Sequence, residues 1–412
     1  MVRGAQSVIW GLLAGTVASK TASFMSMPFL TLFLAMHAHV SPWVAGIIVG
    51  LSPLATLVGG FVGGQLSDVM GRSTLLIGSL VGMALSYLGL AVGGFMQEGL
   101  GQLVVLGLFN LINGWMSACY QPVSQALMSD LVPIEDHYKF FQLRYTAINI
   151  GAAIGPLLGA WFGMSASPIA FVYTGIVYML YAGIMWYFLP VMRPIDRMIQ
   201  HRAVTLRRSI QVLSRDRKLR YFLVAGTLFT LCFSQIDSSF AQYLQLNFVD
   251  GVHLFSCLLS VNGFAVLALQ APVILLTKRW SPMVSMLVGS LIFAAGMAIL
   301  GFHHISHVWL YVSILLLSLG EIFVFPVSAI FVDRMAPENM RGTYFGASSL
   351  RQCGFAIGPF IGGLCLTSLG SHSLFLIMAA IACLSFVVNW WGERIEEGIR
   401  VPASAIPILQ RE

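Results

Sequence analysis

"AIGPLLG" occupies Ala153–Gly159, and "AIGPFIG" occupies Ala356–Gly362, 203 residues further on in a chain of 412. A phrase that returns after half the chain marks a duplicated unit. The flanking sequence repeats too. Pro122–Ser124 reads PVS, as does Pro326–Ser328, and each copy is followed eleven residues after its proline by another, Pro133 and Pro337. Glycines recur at every fourth position, as Gly151, Gly155, Gly159 and Gly163 in one copy and Gly354, Gly358 and Gly362 in the other. On a helix that spacing lines one face, and a face without side chains lets a neighbouring helix come close. Pro156 and Pro359 each free a backbone carbonyl and permit a bend. Static packing and flexing at a fixed point both fit this pattern.

Composition sets the surroundings. The chain is 58% hydrophobic and 9% charged, whereas soluble domains carry about 25% charged residues. Twelve apolar runs follow one another, roughly 8–34, 42–67, 74–95, 102–129, 138–163, 168–190, 220–246, 252–276, 282–302, 309–333, 342–368 and 373–391. Each is long enough to cross about 30 Å of hydrocarbon as a helix. The expected fold is therefore an all-α membrane protein with twelve transmembrane helices in two pseudo-symmetric six-helix bundles. The halves are expected at 1–190 and 220–392, joined by a basic cytoplasmic linker at 191–219 and followed by a cytoplasmic tail at 393–412.

Basic residues fix the orientation. Of the 22 Lys and Arg, Lys20, Arg144 and Arg351 lie in or near spans, and the other 19 fall in connections on one face. The segment VMRPIDRMIQHRAVTLRRSIQVLSRDRKLR (191–220) holds nine of them against two acids. Both termini are thus expected in the cytoplasm. The linker's amphipathic stretches suit either anionic headgroups or plain solvation. Basic residues confined between apolar runs indicate a bilayer rather than nucleic acid as partner. The six cysteines form no CxxC pair, so no metal site and no disulfide framework is expected. His303 and His307 have helical i,i+4 spacing without a third ligand, and most histidines fall on the outer face. No P-loop, HExxH or GxSxG pattern is present, so neither ATP-driven nor hydrolytic chemistry is expected.

Gly64-Gln65-Leu66-Ser67-Asp68-Val69-Met70-Gly71-Arg72-Ser73 joins spans 2 and 3. It resembles the loop motif G-x-L-[AS]-D-x-x-G-R-[KR] of the major facilitator superfamily, departing only at Ser73. "GPLLGA" in span 5 resembles the antiporter motif of that superfamily's drug:proton exporters. The stretches at 143–156 and 320–359 are similar to a multidrug and small-metabolite exporter group within it. The resemblance implies the major facilitator fold, alternating access, no cofactor beyond the coupling proton, and a bacterial inner-membrane setting. The chain departs from the family in span 4, where an arginine implicated in proton coupling is replaced by Asn110. By the resemblance Gly64, Asp68, Gly71 and Arg72 form a conformational latch. In physical terms, Asp68 can accept hydrogen bonds from the start of span 11, Gly71 allows a tight turn, and Arg72 stays on the headgroup side.

A charge deep in a bilayer is costly and marks function. Lys20 falls in span 1, Asp237 in span 7, Glu321 in span 10 and Arg351 in span 11. The resemblance places spans 1, 4, 7 and 10 around a central cavity, and acidic residues of spans 7 and 10 carry protons in the exporters. Asp237 and Glu321 are therefore expected to form the proton-coupling pair. Two readings of Lys20 stand: a permanent ion pair with one of these acids, or, with Arg351, a site for an anionic group of the substrate. Tyr120, Gln121, Asn149, Gln235 and Gln352 complete the substrate-binding candidates, each with bridging between helices as its plainer role. Gly151, Gly155, Pro156, Gly159, Gly354, Gly358, Pro359 and Gly362 are the expected packing and hinge positions.

The sequence thus leads to a monomeric, proton-coupled exporter of drugs or small metabolites. A proton-coupled importer and a non-transporting receptor on the same fold are the alternatives.

Overall fold

The computed structural model describes the backbone of residues 2–38, 40–133, 137–196, 216–277, 279–302, 306–335, 344 and 347–394. Among these residues the chain is helical and holds no strand. The first half comprises α1 (Val2–Ser26), α2 (Leu30–His37), α3 (Pro42–Met70), α4 (Arg72–Phe95), α5 (Leu100–Leu131), α6 (His137–Trp161) and α7 (Pro168–Tyr187). A short α8 (Leu189–Asp196) leads into the linker. The second half comprises α9 (Arg217–Phe233), α10 (Ser239–Asn247), α11 (Gly251–Thr277), α12 (Pro282–Leu300), α13 (His307–Met335) and α14 (Cys353–Arg394).

Eight stretches are long and apolar enough by themselves to cross a membrane. The last of them holds two spans. Gly354 and Gly362 adjoin Thr230 and Ser239, whereas Met378 and Ser385 bond back to Cys232 and Ala225. The two limbs of α14 therefore run in opposite directions. Gly370 makes the reversal at φ 79°, ψ 170°, a backbone region that favours a residue without Cβ. With α3, α6 and the α9–α10 pair, the chain makes twelve passes in two sets of six.

Local sequence explains where several spans begin. Ser-Pro precedes or opens α3, α7 and α12, at Ser41-Pro42, Ser167-Pro168 and Ser281-Pro282. Proline at the first helical position sacrifices no hydrogen bond. The Ser167 and Ser281 hydroxyls accept from the Ile169 and Val284 amides at 3.3 and 3.2 Å, which caps each helix. Asp216 caps α9 in the same way, accepting from Leu219 N at 2.9 Å, and it also accepts the Tyr344 hydroxyl at 2.6 Å. That pair ties the start of span 7 to the start of span 11. Gly71, at φ 83°, is the single residue between α3 and α4, a backbone region that favours glycine.

Spans 1 and 7 differ from the unbroken runs read in the sequence. Span 1 is interrupted by a single 3-10 turn at Met27–Phe29, which contains Pro28. Span 7 breaks at residues 234–238. There the Ser234 hydroxyl and the Gln235 amide both donate to the Leu231 carbonyl, at 2.8 and 3.0 Å, and Ser238 donates to the Ser234 carbonyl at 2.7 Å. Side chains that compete for nearby backbone acceptors loosen a helix.

The repeated phrase serves two contacts in each half. Gly151 and Gly155 lie against Lys20, Thr21 and Phe24 of α1, and Gly159 lies against Met25. Gly354, Gly358 and Gly362 lie likewise against Thr227–Ser239 of span 7. These glycine faces pack inside their own halves. The seam between the halves uses other glycines: Gly46 and Gly50 of α3 face the Pro359 and Ala356 carbonyls, and Gly363 faces that of Pro42. Gly263 of α11 lies so close to Ala153 that a Cβ would stand 2.6 Å from its backbone. Ala153 and Ala356 open the two copies of the phrase. Each half thus offers the alanine of its phrase to a glycine helix of the other. Phe29–Phe255 at 5.4 Å and Ser165–Ser256 at 3.3 Å extend the seam toward the face away from the linker.

Asn110 has a structural role. Pro53 cannot donate to the carbonyl one turn before it, which leaves that of Val49 open. The Asn110 side chain donates to the Ile48 and Val49 carbonyls at 2.7 and 3.3 Å. Asn110→Leu should strip these buried acceptors and lower stability by about 1–3 kcal/mol. Thermal unfolding of the purified protein in detergent tests this, and an unchanged midpoint would refute it.

Candidate functional site

The break in span 7 leaves Asp237 outside both α9 and α10. Its backbone carbonyl accepts the Thr31 hydroxyl of α2 at 3.2 Å, a bond between the two halves. Glu321 stands on α13. Its Oε2 accepts from Asn262 Nδ2 of α11 at 3.2 Å, and the same amide donates to Ser318 Oγ at 2.8 Å. Asp237 lies within electrostatic range of Glu321, and Glu321 within that of Tyr145 on α6. Two carboxylates of one half therefore share a region at the seam.

The cations gather in the other half. Lys20 of α1 sits where α6 passes at Gly151. Within its electrostatic range is Arg144 of α6. Arg144 is buried and donates to Gln121 Oε1 at 2.8 Å and Ser124 Oγ at 3.4 Å, both on α5. The Tyr120 and Tyr181 hydroxyls lie 3.2 Å apart beside it. Lys20, Asp237 and Glu321 are each only half-buried. Among the described residues neither acid forms an ion pair with Lys20, so the permanent pairing that the sequence allowed is not formed.

Of the substrate-binding candidates, Lys20, Tyr120, Gln121, Asp237 and Glu321 thus stand on the elements that build this region. Gln235, fully buried, donates to the Gly358 carbonyl at 2.9 Å and accepts from Ser239 at 2.8 Å, bridging the break in span 7 to α14. Asn149 donates to the Tyr145 carbonyl of its own helix at 3.0 Å. Arg351 lies on a 3-10 turn, Ser349–Gln352, with its guanidinium 4.7 Å over the Phe222 ring and Nε on the Ser348 carbonyl at 3.2 Å. Gln352, next to it, is exposed. The surroundings of Gly64, the Asp68 side chain, Gly342 and His303 lie outside the described residues. Arg144 is the member missing from the sequence-derived set. It precedes Gly151 by seven residues, two helical turns, and so shares the glycine face that packs on α1. An apolar groove of about 400 Å³ between α3 and α5, lined by Trp43, Ile47, Leu51 and Val104, is separate and carries no charge.

The sequence model of the Major Facilitator Superfamily matches residues 12–353. The chain belongs to the major facilitator superfamily. It is 30% identical over 382 residues to the MFS-type transporter YqjV of Bacillus subtilis (strain 168), covering 92% of this chain and 91% of the relative. It is 25% identical to a Na(+), Li(+), K(+)/H(+) antiporter of Planococcus maritimus, covering 92% and 94%. Its fold matches the crystal structure of the nucleoside transporter NupG with a TM-score of 0.79, at 11% identity, over 94% of this chain and 99% of that one. This major facilitator protein is accordingly a multi-pass membrane transporter and not an enzyme. The twelve-pass, two-half architecture read from the sequence holds.

Proposed function

We propose that this protein exports small molecules, drugs or metabolites, in exchange for protons. It acts as a monomer in a bacterial inner membrane with both termini in the cytoplasm. The reading is carried by one observation: Asp237 and Glu321 share a region at the seam with no cation paired to either among the described residues. A carboxylate inside a bilayer persists where it serves a function, and one without a fixed counter-ion is free to exchange a proton for a ligand. The antiport motif in span 5 and an antiporter among the relatives support the exchange mode. One proton moving through about 100 mV releases about 2.3 kcal/mol, enough for about a 50-fold substrate gradient. The halves rock about the site, and proton and substrate take turns in it.

The test is flux in proteoliposomes loaded with ethidium or a labelled dipeptide. Acidifying the outside should drive the probe out. Acid-driven uptake would instead make the protein an importer. Absence of protein-dependent flux for every probe would leave the receptor alternative.

A further inference from the structure

Opposite charges at this site are sorted by half. Lys20 and Arg144 stand on α1 and α6 of the first half, and Asp237 and Glu321 on span 7 and α13 of the second. The partners that Arg144 and Glu321 do have are neutral: Gln121, Ser124 and Asn262. Among the described residues the Lys20 ammonium and the Asp237 carboxylate have no hydrogen-bonding or ion-pairing partner. Arg351 does not join them, because its guanidinium lies on Phe222. Charges withdrawn from water are costly unless compensated, and among the described residues neither Lys20 and Arg144 in one half nor Asp237 and Glu321 in the other have an ion-pair partner.

Resting on the transport reading above, we infer that the transported molecule is a zwitterion lying across the seam, its anionic group on Lys20 and Arg144 and its cationic group on Asp237 and Glu321. A lipophilic monocation would satisfy the acids and leave both cations uncompensated. An anion would do the reverse, and a neutral molecule neither. A zwitterion compensates both sets together. Because its two ends then belong to different halves, occupancy also favours the closed arrangement of the halves over the parted one. The cationic end and the exchanged proton compete for the same carboxylates, which couples binding to deprotonation without a further group.

The experiment uses purified full-length protein in nanodiscs and in proteoliposomes. The probes are a series of ω-amino acids from β-alanine to ε-aminocaproate, together with L-alanyl-L-alanine. Each is compared with its methyl ester and its N-acetyl derivative, and tetraphenylphosphonium serves as the monocation. At least one zwitterion should bind, and blocking either end should weaken it by about tenfold to a hundredfold, the worth of a charged hydrogen bond. Lys20→Met should abolish the distinction between the zwitterion and its methyl ester, while Lys20→Arg retains it. Melting of each variant without ligand excludes misfolding. The inference falls if no zwitterion of the series binds, if ester and parent bind alike, or if tetraphenylphosphonium is the better ligand. Proton-driven flux of tetraphenylphosphonium alone would overturn the zwitterion while leaving the exporter standing.

Discussion

Glu321→Gln is expected to leave a folded protein that equilibrates substrate across the membrane but no longer concentrates it when a pH difference is applied. The glutamine keeps an acceptor oxygen for the Asn262 amide, 3.2 Å away in the wild type, so the link between α11 and α13 survives. What disappears is a group that can alternate between charged and neutral. Asp237→Asn should behave in the same way, because the bond from Thr31 is made to the backbone carbonyl of Asp237 and not to its carboxylate. In both variants pH-driven transport should fall to the level of empty vesicles, with exchange of labelled for unlabelled substrate persisting at a raised half-saturating concentration, because one carboxylate still holds the cationic end. Wild-type coupling in both would remove these residues from the mechanism. Loss of exchange together with coupling would make them binding groups only.

The second large effect concerns the seam. Gly263→Leu and Gly50→Leu place side chains where the Ala153 and Ala356 backbones of the opposite half now lie. Backbone cannot swing aside as a side-chain tip does, so the clash is relieved by parting the halves at the face away from the linker. Overpacking of this kind costs about 1–3 kcal/mol, which shifts a two-state equilibrium by about 5- to 150-fold. Spin labels at Trp161 and Val249, exposed positions near that face in opposite halves, should report a longer distance in the variants. Transport should slow accordingly. Gly155→Leu is the control, since its contact with Thr21 and Phe24 lies within one half. That variant should reduce the yield of folded protein and leave the label distance of the surviving fraction unchanged. A wild-type distance distribution in Gly263→Leu would sink the assignment of the seam.

Much of this architecture is legible in the chain. Apolar runs give the passes, and the repeated phrase gives the halves. The spacing of the glycines shows that a bare helix face exists, but spacing carries no information about which helix fills it. Only the fold distinguishes Gly155, packed on α1, from Gly263, packed on the opposite half. The breaks in spans 1 and 7 escape a reading by hydropathy because Ser26, Ser234 and Ser238 scarcely interrupt an apolar run. Their effect is local hydrogen bonding to the backbone rather than a change of polarity. Arg351 reads as a cavity charge because it falls within a span, yet the Phe222 ring, more than three helical turns before the break in span 7, holds it instead. Arg144 reads as an end-of-span charge, although its register with Gly151 already aligns it with Lys20.

The closest approaches across the seam are made by main chain. At Gly46, Gly50, Gly263 and Gly363 it is carbonyl or Cα that meets the other half. Contacts of this kind rest on dispersion and shape, which dissolved ions do not screen. Raising the ionic strength should therefore weaken occupancy of the charged site and leave the intrinsic tightness of this barrier nearly unaltered. The barrier that keeps ions from leaking through an empty carrier and the chemistry that recognises its cargo would then be adjustable one without the other.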